Sequence, residues 1–211
     1  MANFHKNAKP FIEQLTFNKD ESIVEIGSDR CEGSTEWFDN YAKLLGVDFY
    51  SVDVVDYAST TLKHLRNTNF VITESGSKWA HEELPKINKK IKVLYLDNYD
   101  WLGPMDSLRS HELDQVKEYK NRGVNISNLD CQREHLHQMV GCLPYMTEES
   151  LIICDDTPYQ DHSGIYIGKN GAVVPYLLSY GYEIVFGRGY GRECLEDNGL
   201  ILYRKNNEVL F

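Results

Sequence analysis

Residues 22–35 read SIVEIGSDRCEGST. Ile23, Val24 and Ile26 give the start of this stretch strand character, Glu25 interrupts it, and Gly27 and Ser28 follow at once, with a second glycine at Gly33. A strand that runs into a glycine turn and then a helix start brings bare backbone to the carboxyl end of a sheet, where open α/β sheets bind their ligands. The dinucleotide fingerprint GxGxxG needs a glycine two residues after the first. Here the next one comes six residues on, so a pyrophosphate cradle is poorly supported. What remains is an acid at the strand end, a tight turn at Gly27 and Ser28, and Gly33 as the small residue where the helix packs close to the strand.

Outward from this stretch the chain alternates. Apolar runs rich in β-branched residues recur at 48–54, 69–73, 91–97, 150–156, 182–189 and 199–205. The early ones are nearly continuous rather than alternating, as parallel strands covered on both faces are. Helical spacing lies between most of them. Residues 34–46 open on Ser34 or Thr35 as a cap, carry Trp37, Phe38, Tyr41, Leu44 and Leu45, and stop at Gly46. Weaker windows cover 56–66 and 169–181, and a strong one covers 125–146, with Pro144 near its end. The predicted fold is therefore α/β, a doubly wound, mostly parallel seven-stranded sheet that closes on an antiparallel hairpin. Residues 1–211 form one domain, with a polar, turn-rich insertion at about 101–128 beside the substrate site.

Bulk composition narrows the function. Lys plus Arg is 22 against 32 for Asp plus Glu, a net charge of −10, which repels a phosphate backbone and argues against nucleic acid as partner. The basic clusters INKKIK and GRGYGR are short enough to be solvated edges. Cys31, Cys131, Cys142, Cys154 and Cys194 are odd in number and contain no CxxC pair, so neither a thiolate zinc site nor a complete disulfide framework is expected. With no long apolar run to suggest a membrane partner, the expectation is a cytoplasmic protein acting on a small molecule, with a homo-oligomer left open.

Asp53 ends the second strand about twenty residues after the glycine loop, where a carboxylate can accept from both hydroxyls of a ribose. Ribose without pyrophosphate suggests an adenosine ligand. With EIGSDRCEGST as first motif, SVDV as acidic second motif and this strand order, roughly residues 20–205 resemble the class I S-adenosylmethionine-dependent methyltransferases. The resemblance implies S-adenosylmethionine as cofactor, with Glu25, Gly27, Ser28, Gly33 and Asp53 among its contacts. It also places Glu74, Ser75 and Gly76, at the third strand's exit, beside the adenine ring. The loop centre departs from the family: Asp29, Arg30, Cys31 and Glu32 are bulkier than its usual small residues. Arg30 either reaches the methionine carboxylate or pairs with Glu32.

Asp97 and Asp100 end the fourth strand, and Asp155 and Asp156 end the fifth. Gathering that much negative charge is costly unless a cation offsets it, and oxygen ligands favour Mg²⁺, Mn²⁺ or Ca²⁺. At this point the chain resembles the metal-dependent O-methyltransferases of the catechol and macrolide-sugar types. That resemblance implies Asp97, Asp155 and Asp156 as metal ligands. The catechol type carries a lysine base where this chain has Asp100, so the proton goes to Asp100 or to His135, with Asp100 alternatively an extra ligand. His111 and His162 sit in predicted loops near strand ends, and Tyr99, Trp101, Tyr159 and Tyr166 flank the carboxylates.

The reading is a divalent-metal-assisted O-methyltransferase for a small hydroxylated acceptor, a sugar or a phenol. Its rivals are a metal-free methyltransferase acting on nitrogen or carboxylate, a non-catalytic cofactor-binding scaffold, and an iron-dependent oxygenase on the same fold.

Overall fold

The computed structural model describes residues 4–28, 33–103, 108, 110–124, 126–160, 162–187 and 199–205. Each apolar run becomes a strand: β1 (Glu21–Ile26), β2 (Asp48–Asp53), β3 (Thr68–Ile72), β4 (Lys90–Leu96) and β5 (Met146–Cys154). The two-residue strands β6 (Tyr159–Gln160) and β7 (Ile165–Tyr166) form a separate hairpin, and β8 (Glu183–Phe186) and β9 (Leu200–Arg204) complete the main sheet. The main sheet has the order β3-β2-β1-β4-β5-β9-β8. Strands β1 to β5 pair in parallel, and β9 runs antiparallel to both β5 and β8. This is the doubly wound architecture expected from the sequence.

Every residue of β1 is buried, because helices cover both faces. Ile23 faces a core shared with Phe4, Ala8 and Ile12 of the amino-terminal segment and with Phe38 and Ala42 of helix α2 (Ser34–Leu45). Val24 and Ile26 face the other core, with Trp79, with Met139 of α5 (Asn128–Cys142) and with Leu177 of α6 (Val173–Ser179). A short helix, α1 (Lys9–Ile12), belongs to the first layer. No helix among the described residues is long and apolar enough to cross a membrane.

Three local expectations change. Helix α2 is capped by Gly33, at φ +89°, rather than by a hydroxyl side chain, because Ser34 and Thr35 turn inward to Glu25. Leu44, placed on its apolar face, is exposed, and Ala42 is buried instead. Residues 56–66 form turns and not a helix. There the Asp56 carboxylate accepts from the Ser59 N–H and the Thr60 hydroxyl reaches back to the Asp56 carbonyl, so side chains compete for the bonds a helix needs. Only Leu62 of that stretch is buried, too little to hold a helix by packing.

Two helical segments were not foreseen. The β3–β4 crossover is α3 (Gly76–Lys78), continued by a wide π turn over Trp79–Glu83 and a tight turn over Leu84–Lys86. The insertion contains α4 (Ser110–Asn121), whose Leu113 stays exposed, so no apolar stripe announced it. Residues 188–198 between β8 and β9, with Cys194 and all of GRGYGR after Gly187, lie outside the described residues.

Candidate functional site

Gly27 stands at the switch point of the sheet, where β1 lies between β2 and β4. Its N–H donates to the Val52 carbonyl at 2.8 Å, and the Asp97 N–H donates to the Ile26 carbonyl at 2.9 Å. Its φ is +106°, and a β-carbon there would lie 2.5 Å from the backbone of Asp97 and Asn98. Glycine is therefore demanded twice, by conformation and by space. At Gly33, by contrast, a β-carbon would meet nothing within 4 Å, so the close approach expected there occurs at Gly27. Gly33 supplies the positive φ that starts α2, and its carbonyl accepts from the Trp37 N–H at 3.0 Å. Asp29, Arg30, Cys31 and Glu32 fall outside the described residues.

Asp53 and Glu25 brace this loop from two sides. Asp53 Oδ2 accepts from the Ser28 N–H and Oδ1 from the Val55 N–H, both at 2.8 Å. A carboxylate oxygen can accept more than one bond, so these two bonds do not by themselves exclude a ribose hydroxyl. Glu25 is wholly enclosed. Its carboxylate accepts from Ser34 and Thr35 at 2.6 Å and from Ser51 at 2.8 Å, and the Ser51 hydroxyl lies 2.8 Å from that of Ser28. Burial raises its pKa to about 8 against the opposing pull of the three hydroxyls. Glu25 thus fastens β1, β2 and α2 together beneath the loop and shapes the site through that loop, with no surface of its own for a ligand.

The third strand's exit lies alongside. Ser75 caps α3 by accepting from the Lys78 N–H, and Glu74 is exposed and ion-paired with Lys78. Gly76 is buried, and a β-carbon there would lie 2.5 Å from Ile26 and 2.8 Å from Gln138. From α5, Glu134 accepts from the Ser77 backbone N–H and hydroxyl, while Gln138 donates to Asn98 Oδ1 at 2.8 Å. Asn98, Glu134 and Gln138 therefore tie the exits of β3 and β4 to α5.

Asp97, Asp155 and Asp156 do converge, and a residue that sequence reasoning did not single out stands among them. Lys169 Nζ lies 2.7 Å from Asp97 Oδ1 and 3.0 Å from Asp156 Oδ2. Burial works against its charge, but Asp97, Asp156 and Asp155 outweigh burial and hold the ammonium well above the ordinary lysine range. The Tyr95 hydroxyl lies 2.5 Å from Asp155 Oδ2 and 3.1 Å from Asp97 Oδ2. A phenol has one proton for these two oxygens. Burial, then Asp97 and Asp156, push the Asp155 carboxyl well above its usual range, which disfavours a further negative charge beside Asp97.

These donors do not fit the expected divalent ion. Both oxygens of Asp97 already face the ammonium or the phenol, Asp155 Oδ1 accepts from the Asp156 N–H, and Lys169 already offsets part of the negative charge. Among the described residues no group of three His, Cys, Asp or Glu side chains is arranged to hold a metal.

The expected proton acceptors are placed differently from one another. His135 is fully buried. Its Nδ1 donates to the Cys131 carbonyl at 2.9 Å, which leaves Nε2 a lone pair with no hydrogen-bond partner among the described residues. Burial lowers its pKa to about 3, so it is neutral and a poor base near pH 7. Asp100 is half-buried and accepts from Gln115 of α4, while Gly103 donates to Glu112; together they pin the insertion helix beside the site. Tyr99 packs against Tyr119 and Tyr159 against Tyr166, each pair tilted with 5.0 Å between centroids. His162 is exposed, and His111 belongs to α4 rather than to a loop. Lys169 escaped sequence reading because it sits in a glycine-rich turn far from any acidic motif; its spacing carries no signal.

No protein-family model matches the chain, and neither does any curated protein. Solved structures with the same fold include the MycE methyltransferase of the mycinamycin biosynthetic pathway, in complex with Mg and SAH (10% identity, TM-score 0.53, 96% of this chain and 50% of that one). The CMeT domain of the citrinin polyketide synthase is similar at 11% identity and TM-score 0.54, over 95% of this chain and 50% of that one. A putative rRNA-methylase from Clostridium thermocellum shares 10% identity at TM-score 0.51, over 96% and 97% of the two chains. The chain spans about half the length of the first two. At these identities what is shared is the fold.

Proposed function

We propose that the protein is an S-adenosylmethionine-dependent methyltransferase acting on a small hydroxylated acceptor, a sugar or a phenol. The observation that carries this is Gly27: at the switch point of a sheet with the methyltransferase strand order, it is kept bare by the Asp97–Asn98 backbone and opens onto the loop that Asp53 braces. Gly27, Ser28, Gly33 and Asp53 would hold the cofactor's amino-acid and ribose parts, with Glu74, Ser75 and Gly76 beside its adenine. When bound, the cofactor supplies an electrophilic methyl group.

The chain's own residues supply position and charge. An ammonium has three donors, and Lys169 commits two of them to Asp97 and Asp156. The third is available to an acceptor oxygen, where it would stabilise negative charge as it develops. Asp156, half-exposed in its side chain, is the carboxylate at hand to take the acceptor's proton, with Asp100 the alternative nearby. The tyrosine pairs and α4 would exclude water around the acceptor. The metal-assisted form of this chemistry, suggested by the three aspartates, would require Lys169 to withdraw.

Calorimetry with S-adenosylhomocysteine in the presence of chelator tests the reading. Micromolar binding that Asp53→Ala weakens supports it. Absence of binding by the folded wild-type protein ends it.

A further inference from the structure

We propose that Lys169 is the resident cation of this site: its ammonium fills the position between Asp97 and Asp156 that a divalent ion would take, so removing it converts the carboxylates into a metal site. Several features show a loop built to deliver this side chain. Lys169 is 7% exposed although it follows a surface hairpin. Gly168 before it adopts φ +83°, and a β-carbon there would lie 1.9 Å from the Asp156 carbonyl, so the chain passes where only glycine fits. The Lys169 N–H donates to that same carbonyl at 2.9 Å. Asn170 after it donates to the Asp155 carbonyl at 3.0 Å and to the Leu96 carbonyl at 3.3 Å, and Gln132 of α5 donates to the Gly168 carbonyl at 3.1 Å. The loop therefore grips the ends of β4 and β5, the two strands whose acids the lysine joins.

The chemistry of the cluster agrees. A Mg²⁺ ion demands near-octahedral oxygen donors and gives up its water reluctantly. Here it would have to expel a buried ammonium from two ion pairs, one of them with the mostly buried Asp97, which would leave that cation unpaired. A tethered ammonium forfeits little freedom on pairing because its backbone is already fixed. This inference does not depend on methyl transfer, since it concerns what occupies the carboxylates.

The test reads Mn²⁺ binding by paramagnetic resonance of the free ion, in the wild type, in Lys169→Ala and in Lys169→Ala with Asp97→Asn. The wild type should show no saturable site up to millimolar Mn²⁺. Lys169→Ala should gain one site, tighter by at least about tenfold than any residual wild-type binding, and the double variant should lose it. Mg²⁺ should raise the melting temperature of Lys169→Ala and leave that of the wild type unchanged. A saturable wild-type site that Asp97→Asn abolishes would overturn the proposal, as would a folded Lys169→Ala protein with no gained site. Should Lys169→Ala fail to fold, the wild-type titration decides alone: an Asp97-dependent site refutes the proposal and its absence supports it.

Discussion

At Gly27 the backbone of the next strand stands where a methyl group would have to go. Gly27→Ala should cost on the order of 3 kcal/mol, from the strained φ and the 2.5 Å clash together, and should abolish S-adenosylhomocysteine binding even where the variant folds. Urea unfolding and calorimetry check the two effects separately. Glu25 offers a prediction in pH. Its carboxyl titrates near 8 in the folded chain against 4.5 when unperturbed, so the folded state holds this proton more tightly. Stability from this group is therefore greatest below about pH 4.5 and declines as pH climbs towards 8, by on the order of 3 kcal/mol at pH 7. Glu25→Gln should flatten that part of the profile of urea midpoint against pH; an unchanged slope would show that another group carries it. Gly27 and Asp53 were legible in the sequence because a strand end and a spacing mark them. The role of Glu25 was not, since nothing in the spacing says that Ser34, Thr35 and Ser51 will converge on it.

Among elements, each strand of the main sheet could be placed because continuous β-branched runs have few other uses, whereas α3, α4 and the β6–β7 hairpin could not. Helix α4 has little apolar surface to bury, and its place is set by Gln115, Glu112 and the Tyr119 ring meeting the chain after β4. The loop after the β6–β7 hairpin is a matter of backbone fit. Gly168→Ala should destabilise by about 2 kcal/mol or more. It should also withdraw Lys169, leaving S-adenosylhomocysteine affinity within a few-fold while turnover of any acceptor falls at least about a hundredfold, the usual size of one electrostatic contact. Loss of cofactor binding in parallel would mean that the two halves of the crevice are not separable in this way.

At the scale of the whole molecule, cofactor and fold should support one another, because the loop at Gly27 is gripped by β2, β4 and α2 together. Saturating S-adenosylhomocysteine should raise the melting temperature by roughly 5 °C, as expected for about 2.7 kcal/mol at a hundredfold excess over Kd in a domain of this size. Glu25→Gln, which keeps the loop's shape, should retain this rise in differential scanning calorimetry. The strand order has a consequence during synthesis. Strand β9 inserts between β5 and β8, although both precede it in the chain. Until residues 200–204 emerge from the ribosome, β5 presents an unpaired apolar edge beside a nearly complete sheet, which is the surface that captures other nascent chains. A ribosome stalled before residue 200 would hold that sticky edge exposed, so demand for chaperones should peak just before β9 is made.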